Sequence, residues 1–219
     1  VLSEAFEKAL AASKGFLFLM RLEQHENRPP QPRLPYDRKN QFCTWLNDPY
    51  DDTCFNTRTK VLIRDSKTAV RFKETNHCAV ESGKWFDPYT AKNYYSPSDL
   101  QIDHMVPLKH AYLSGAWKWT NKKRCLYAND IGAKYHLIAV LAHENMSKGD
   151  SSPEEYLPPA ETSVCQYIDN WLTIKAVWKL LLLPGEAEAI RKANDTDLAH
   201  LNSIHEELER AASANDIEG

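Results

Sequence analysis

Asp103 and His104 stand side by side in the stretch Gln101-Ile-Asp-His-Met-Val-Pro-Leu108. Two further polar stretches follow, Tyr127-Ala-Asn-Asp130 and Asn145-Met-Ser-Lys-Gly-Asp150. Together they suit hydrolysis of a phosphodiester. That reaction needs a base that can take a proton from water at neutral pH, and imidazole is the side chain suited to it. It also needs a hard cation at the scissile phosphate. Mg²⁺ accepts a few protein oxygens and keeps several waters, so one carboxylate and one amide oxygen can hold it. Successive side chains of an extended segment point to opposite faces. An Asp-His pair at a strand end could therefore divide the two tasks, and an Asn on a following helix could close the metal site.

These residues need elements to position them. Leu100–Asp103 is a short strand candidate, and Tyr135–Leu141, YHLIAVL, is apolar and β-branched enough for another. Residues 107–128 read as two short helices parted near Ser114-Gly115. Cys54–Asp65 reads as a helix or helix start. Cys78–Val80 and Lys84–Phe86 read as strands around a Ser82-Gly83 turn. Ser152-Pro153-Glu154-Glu155 carries the signals of a helix start. A long helix spans 163–182, with Val164, Ile168, Trp171, Leu172 and Trp178 at helical spacing, a core pattern and not a base-stacking platform. Residues 3–14 are a further helix candidate, and 28–35, RPPQPRLP, a stiff connector.

The chain has 219 residues, a formal charge of −3, 42% apolar and 26% charged residues, and a mean hydropathy of −0.57. This fits one soluble globular domain, or a domain with an added tail. No apolar run approaches the roughly 20 residues a membrane span needs. Residues 186–219 hold nine acidic and three basic side chains, with Leu201, Ile204 and Leu208 as an apolar stripe, so the first 185 residues are net positive. In 105–150, Lys109, Lys118, Lys122, Lys123, Arg124, Lys134 and Lys148 outnumber Asp130, Glu144 and Asp150. A phosphate-facing surface is expected there. The five cysteines form no C-x-x-C pair, which argues against a zinc ribbon. They favour export with disulfides and one thiol left over, buried thiols in a cytosolic protein being the alternative; the pairing stays open. Val1 in place of Met suits a processed or trimmed chain.

The ordered set of motifs resembles the HNH (His-Me finger, ββα-metal) endonucleases, in particular the secreted bacterial branch related to the C-terminal nuclease domain of GmrSD-type restriction enzymes. The resemblance runs from about Tyr36 to Trp178. It includes Tyr36-Asp-Arg38, Asn56-Thr-Arg58, Cys78-x-Val-x-Ser-Gly83, Asp87-Pro-Tyr-Thr90, the three stretches above, Leu157-Pro-Pro159 and Cys165-x-Tyr-x-x-x-Trp171. It implies an α+β fold with a ββα-metal core set among helices, and metal-dependent hydrolysis of DNA, with RNA as a second candidate, at little sequence specificity. It implies that His104 is the general base and that Asp103 and Asn145 bind one Mg²⁺ or Mn²⁺. Asn129 matches the middle polar position, which holds the loop and orients His104. Lys148 and Arg58 are candidate phosphate contacts. Activity is expected to rise with pH through the imidazole range. The implied units are 1–35, an N-terminal helix and connector; 36–185, the nuclease domain; and 186–219, an acidic helical tail dispensable for chemistry. The implied location is secreted or periplasmic, without membrane contact. The rival reading is a non-catalytic nucleic-acid-binding or structural domain on the same fold.

Overall fold

The computed structural model describes residues 32, 34–47, 52–183 and 185–193. Among them the strands form three antiparallel pairs. β1 (Arg71–Lys73) pairs with β2 (Asn76–Ser82), β3 (Trp85–Asp87) with β4 (Lys92–Tyr94), and β5 (Leu100–His104) with β6 (Leu137–Leu141). Around them lie α1 (Arg38–Gln41), α2 (Thr57–Asp65), α3 (Leu108–Leu113), α4 (Asn121–Asn129), α5 (Ala142–Lys148) and α6 (Val164–Trp178). The class is mixed α and β with small antiparallel sheets. The expected helix 3–14, most of the 28–35 connector and the Leu201–Leu208 stripe lie outside the described residues.

The β5–β6 ladder is the wall between two cores. Leu100, Ile102, Leu137 and Ala139 point to one side, against Val61 and Leu62 of α2 and against Trp85. Ile138 and Val140 point to the other, against Tyr127, Ile168, Trp171 and Leu172. A strand buried on both faces has no polar face to keep, which is why β6 reads as a continuous apolar run. Full burial of each such side chain is worth about 1.5–3 kcal/mol. The helices start where local chemistry directs. The Asn56 side chain accepts from Thr59 N at 3.0 Å to open α2, and Thr120 Oγ1 accepts from Lys123 N at 3.2 Å to open α4.

Two local expectations are corrected and one is met. The strands expected on either side of Ser82-Gly83 are present as β2 and β3, each paired with another strand. The Trp85 ring folds back over the turn, its Nε1 donating to Leu62 O at 2.8 Å, and a Cβ at Gly83 would sit 2.6 Å from that ring. Ser152-Pro-Glu-Glu makes one turn, with Glu155 N and Tyr156 N donating to Ser152 O, and no helix. Pro158 and Pro159 follow at once, and each removes a donor that a second turn would need. The boundary at 185 also fails to separate body from tail. Residues 186–193 are helical, and Glu186 and Ile190 are fully buried. Glu186 accepts from Trp171 Nε1, Lys175 Nζ, His110 Nε2 and Leu183 N. Burial alone would raise the Glu186 carboxyl, but the Lys175 ammonium and His110 hold it down at about 2.

Candidate active site

β5 delivers Asp103 and His104 to opposite sides of the ladder, since neighbours in a strand face apart. Helix α5 follows β6 directly and packs along β5. Asn145 and Lys148, three residues apart, share its inner face. Asn145 Nδ2 donates to Gln101 Oε1 at 2.7 Å. Lys148 Nζ donates to both Asp103 oxygens, at 2.8 and 2.7 Å, and to His104 O at 2.8 Å.

His104 lies on the other face, with 8% of its surface exposed. Its Nε2 is 3.0 Å from Ala128 O. A carbonyl can only accept, so Nε2 carries the proton and Nδ1 of the neutral ring carries the lone pair. Among the described residues nothing hydrogen-bonds Nδ1. Trp45 stacks on the ring at 5.4 Å between centroids. Tyr127 lies near-parallel at 6.4 Å, and His136 stands edge-on at 6.0 Å. Burial among these rings, with His136 as a second cause, pulls the His104 pKa down to about 3. The ring is therefore neutral throughout the physiological range. A base with that pKa would give no rise of activity through the ordinary imidazole range.

Asn129 makes no hydrogen bond with His104 among the described residues. It acts on the loop that carries Trp45. Asn129 Oδ1 accepts from Leu46 N at 3.0 Å and Thr57 Oγ1 at 2.7 Å, and Nδ2 donates to Thr44 O and Cys125 O. The disulfide Cys43–Cys125 ties the same loop to α4. A second disulfide joins Cys54 to Cys78, and the exposed Cys165 lies outside both.

Asp103 is 4% exposed and has a second partner, the Tyr89 hydroxyl at 2.6 Å. This set tests the expected metal pair. A divalent ion at Asp103 would have to displace an ammonium that is itself fully buried and bonded to both carboxylate oxygens. Asn145 meanwhile faces Gln101, two residues back along the strand. As ligands of one ion, Asp103 and Asn145 do not fit, and of the two only the Asn145 amide oxygen is open. Among the described residues no three His, Cys, Asp or Glu side chains cluster as a metal site. His110, His136 and His143 are apart, bonded to Glu186, Tyr127 O and Glu144 respectively.

Neither candidate phosphate contact is freely exposed: Lys148 is buried and Arg58 half-buried. Lys148 is fully buried, and burial lowers its pKa, with Asp103 opposing. Arg58 Nη2 donates to Pro97 O at 2.9 Å and Leu100 O at 3.0 Å, tying α2 to the start of β5. The basic window shrinks likewise. Arg124 is buried, with its guanidinium on Gln41 O, Ala116 O and Trp119 O. Lys109 pairs with Asp150. Lys118, Lys122, Lys123 and Lys134 remain exposed, Lys123 over the Trp119 ring at 4.4 Å. Sequence reasoning missed Trp45 and Tyr89, whose roles depend on contacts far along the chain. The one available signal for Trp45 was its place two residues after Cys43.

The chain belongs to the family described as GmrSD restriction endonucleases, C-terminal domain, which it matches over residues 56–193. Membership sets it among nuclease-like domains, and its match includes the buried Glu186 and Ile190. A relative from Arthroderma benhamiae, named "Uncharacterized secreted protein", is 37% identical over 169 residues, covering 77% of this chain and 79% of the relative. That relative is fungal, so the bacterial setting has no support from it. No solved structure matches.

Proposed function

We propose that the protein is an endonuclease that hydrolyses phosphodiester bonds of DNA, with His104 as general base, and that it works outside the cell. One observation carries the reading. His104 is held as the neutral Nε2–H tautomer by Ala128 O, with Nδ1 left as an unpartnered acceptor. A base needs that state before water arrives. The family supports the reaction class. The order β5, β6, α5 supports a ββα core of the HNH type. Two disulfides and the name of the fungal relative support export.

In this reading Trp45 and Tyr127 fix the ring and limit water around it. Ala128 O steadies the Nε2–H as Nδ1 takes the proton from an attacking water. Asn129 and the Cys43–Cys125 disulfide keep Trp45 in place. Asp103 and Lys148 hold α5 to the strand that carries His104. Mg²⁺ or Mn²⁺ would supply charge neutralisation at the phosphate. The Asp103–Asn145 pair does not form its site, so no step is assigned to it. Among the described residues no base-reading module is recognisable, and recognition would rest on backbone contacts from the exposed lysines, with RNA as a second substrate.

The sealed state of Asp103 favours a second reading, a nucleic-acid-binding domain without chemistry. Plasmid cleavage decides between them, with wild type and His104→Ala at matched thermal stability, in Mg²⁺ and in EDTA. The proposal expects nicking by the wild type and a fall of roughly 10²–10⁴-fold in His104→Ala. Equal rates in the two proteins would remove His104 as the base. Binding without cleavage by the wild type in either medium would establish the second reading.

A further inference from the structure

Arg38 stands in the motif Tyr36-Asp-Arg38 and opens α1. Its polar neighbours Asp37 and Gln41 bond within the protein. Asp37 accepts from Lys39 N at 3.0 Å and from Asn40 N at 3.2 Å. Gln41 Nε2 donates to Pro35 O at 2.9 Å and to the Tyr112 hydroxyl at 3.1 Å. The Arg38 side chain is exposed, and among the described residues no hydrogen bond or ion pair engages its guanidinium.

The frame brings α1 to the base. Arg124 Nε donates to Gln41 O at 3.1 Å, and the Cys43–Cys125 disulfide follows two residues on. These two ties fasten α1 and the Trp45 loop to the middle of α4. One turn further along α4, Ala128 O takes the His104 Nε2–H at 3.0 Å. Trp45, four residues past α1, stacks on the His104 ring. Burial and His136 come first in keeping that ring unprotonated, and the charges of Arg38 and Lys148 act in the same direction. Both cations therefore lie close enough for their fields to reach the base. Lys148 is spent on Asp103 and His104 O. Of the two, Arg38 is the one with donors to spare.

Hydrolysis of a phosphodiester builds negative charge on the phosphate oxygens, and a positioned cation lowers that barrier. A guanidinium can fork onto two such oxygens at once. We propose that Arg38 is a catalytic residue of the His104 site and binds the scissile phosphate through its guanidinium. Arg38 has this role only where the chain cuts nucleic acid with His104 as base. As the water oxygen bonds to phosphorus, His104 Nδ1 takes its proton. The P–O bond to one strand breaks, and the departing oxygen takes a proton from solvent. Arg38 stays protonated throughout and holds the charge of the non-bridging oxygens.

Plasmid cleavage by the full chain in Mg²⁺ tests this, with kcat and KM measured separately for wild type, Arg38→Ala, Arg38→Lys, Lys39→Ala and His104→Ala. Arg38→Ala should melt with the wild type, since the lost side chain bonds nothing. Its kcat should fall roughly 10²–10³-fold, with KM changed less. Guanidinium ion, added at concentrations that leave melting unchanged, should restore part of the rate in Arg38→Ala and none in His104→Ala. Arg38→Lys keeps the charge without the fork and should fall in between. Lys39→Ala, the exposed neighbour, should cut as the wild type does. An unchanged kcat in Arg38→Ala overturns the proposal. So does a defect confined to KM, which would make Arg38 a remote phosphate contact, and so does a loss that guanidinium leaves untouched. A wild type that cuts nothing removes the nuclease reading and this role with it. An inactive His104→Ala beside a fully active Arg38→Ala removes this role alone.

Discussion

The two faces of β5 place neighbouring residues in unlike surroundings. His104 meets rings and one carbonyl, and keeps a lone pair unengaged. Asp103 meets an ammonium at 2.7–2.8 Å and a phenol at 2.6 Å, with neither oxygen left over. Adjacency in sequence suggested a shared site, but the pleat of the strand separates them. One face keeps a base ready, and the other holds the strand to its helix.

The largest effect should come from breaking the second face. Lys148→Ala leaves the Asp103 carboxylate buried beside Tyr89 alone, and should cost about 3–5 kcal/mol in urea unfolding. Replacing both partners with apolar residues, Lys148→Met with Asp103→Leu, should recover much of that loss. Asp103→Asn should lower the melting temperature, and excess Mg²⁺ should not restore it. Recovery by Mg²⁺ would return Asp103 to the metal site and undo the comparison.

Next comes the tether of the first face. Serine at both Cys43 and Cys125 should cost about 2–4 kcal/mol. It should also release the loop that stacks Trp45 on His104, so cleavage should fall even where the protein stays folded. Unchanged cleavage in folded protein would show that Trp45 does not position the base.

Acid should then separate folded from unfolded chains. His104, His110 and His136 all have pKa values lowered by burial from their ordinary 6.5. Below that value an unfolded chain takes up protons that the folded one refuses, so stability should fall as pH drops from 6.5. Glu186, depressed to about 2, adds a further loss as pH falls below its ordinary 4.5. Urea unfolding between pH 8 and pH 4 checks this; a flat profile would mean that the buried imidazoles are solvated.

The smallest effects lie on the surface. Lys122→Glu or Lys123→Glu should weaken DNA binding alike for all sequences and reduce the salt slope by about 1 to 2 units each. Arg58→Ala should change stability and leave the salt slope as it was, because its guanidinium faces Pro97 O and Leu100 O.

Much of the frame was legible. β5, β6 and α6 carry patterns that local chemistry can read, and the Asp-His pair marked the right strand. The failures at Lys148, Glu186 and Arg124 share a physical cause, because each depends on a distant partner. Lys148 looked like a surface cation until Asp103, 45 residues away, was brought against it. Glu186 looked like the first charge of a tail, yet it closes a network with His110, 76 residues back. The turn at Ser152 had every local signal of a helix and was stopped by Pro158 and Pro159. Charge counting failed at Arg124 for the same reason, since carbonyls from two separate segments, Gln41 and Ala116–Trp119, take up its guanidinium.

The central claim is that His104 is a neutral Nε2–H base across the working pH range. Nitrogen NMR of ¹⁵N-histidine-labelled protein reads this directly, with His104→Ala used to assign the signals. The account predicts a pyrrole-type Nε2 and a pyridine-type Nδ1 for His104, both unmoved from pH 8 to pH 5. A ring that titrates near 6.5, or that carries its proton on Nδ1, would contradict it.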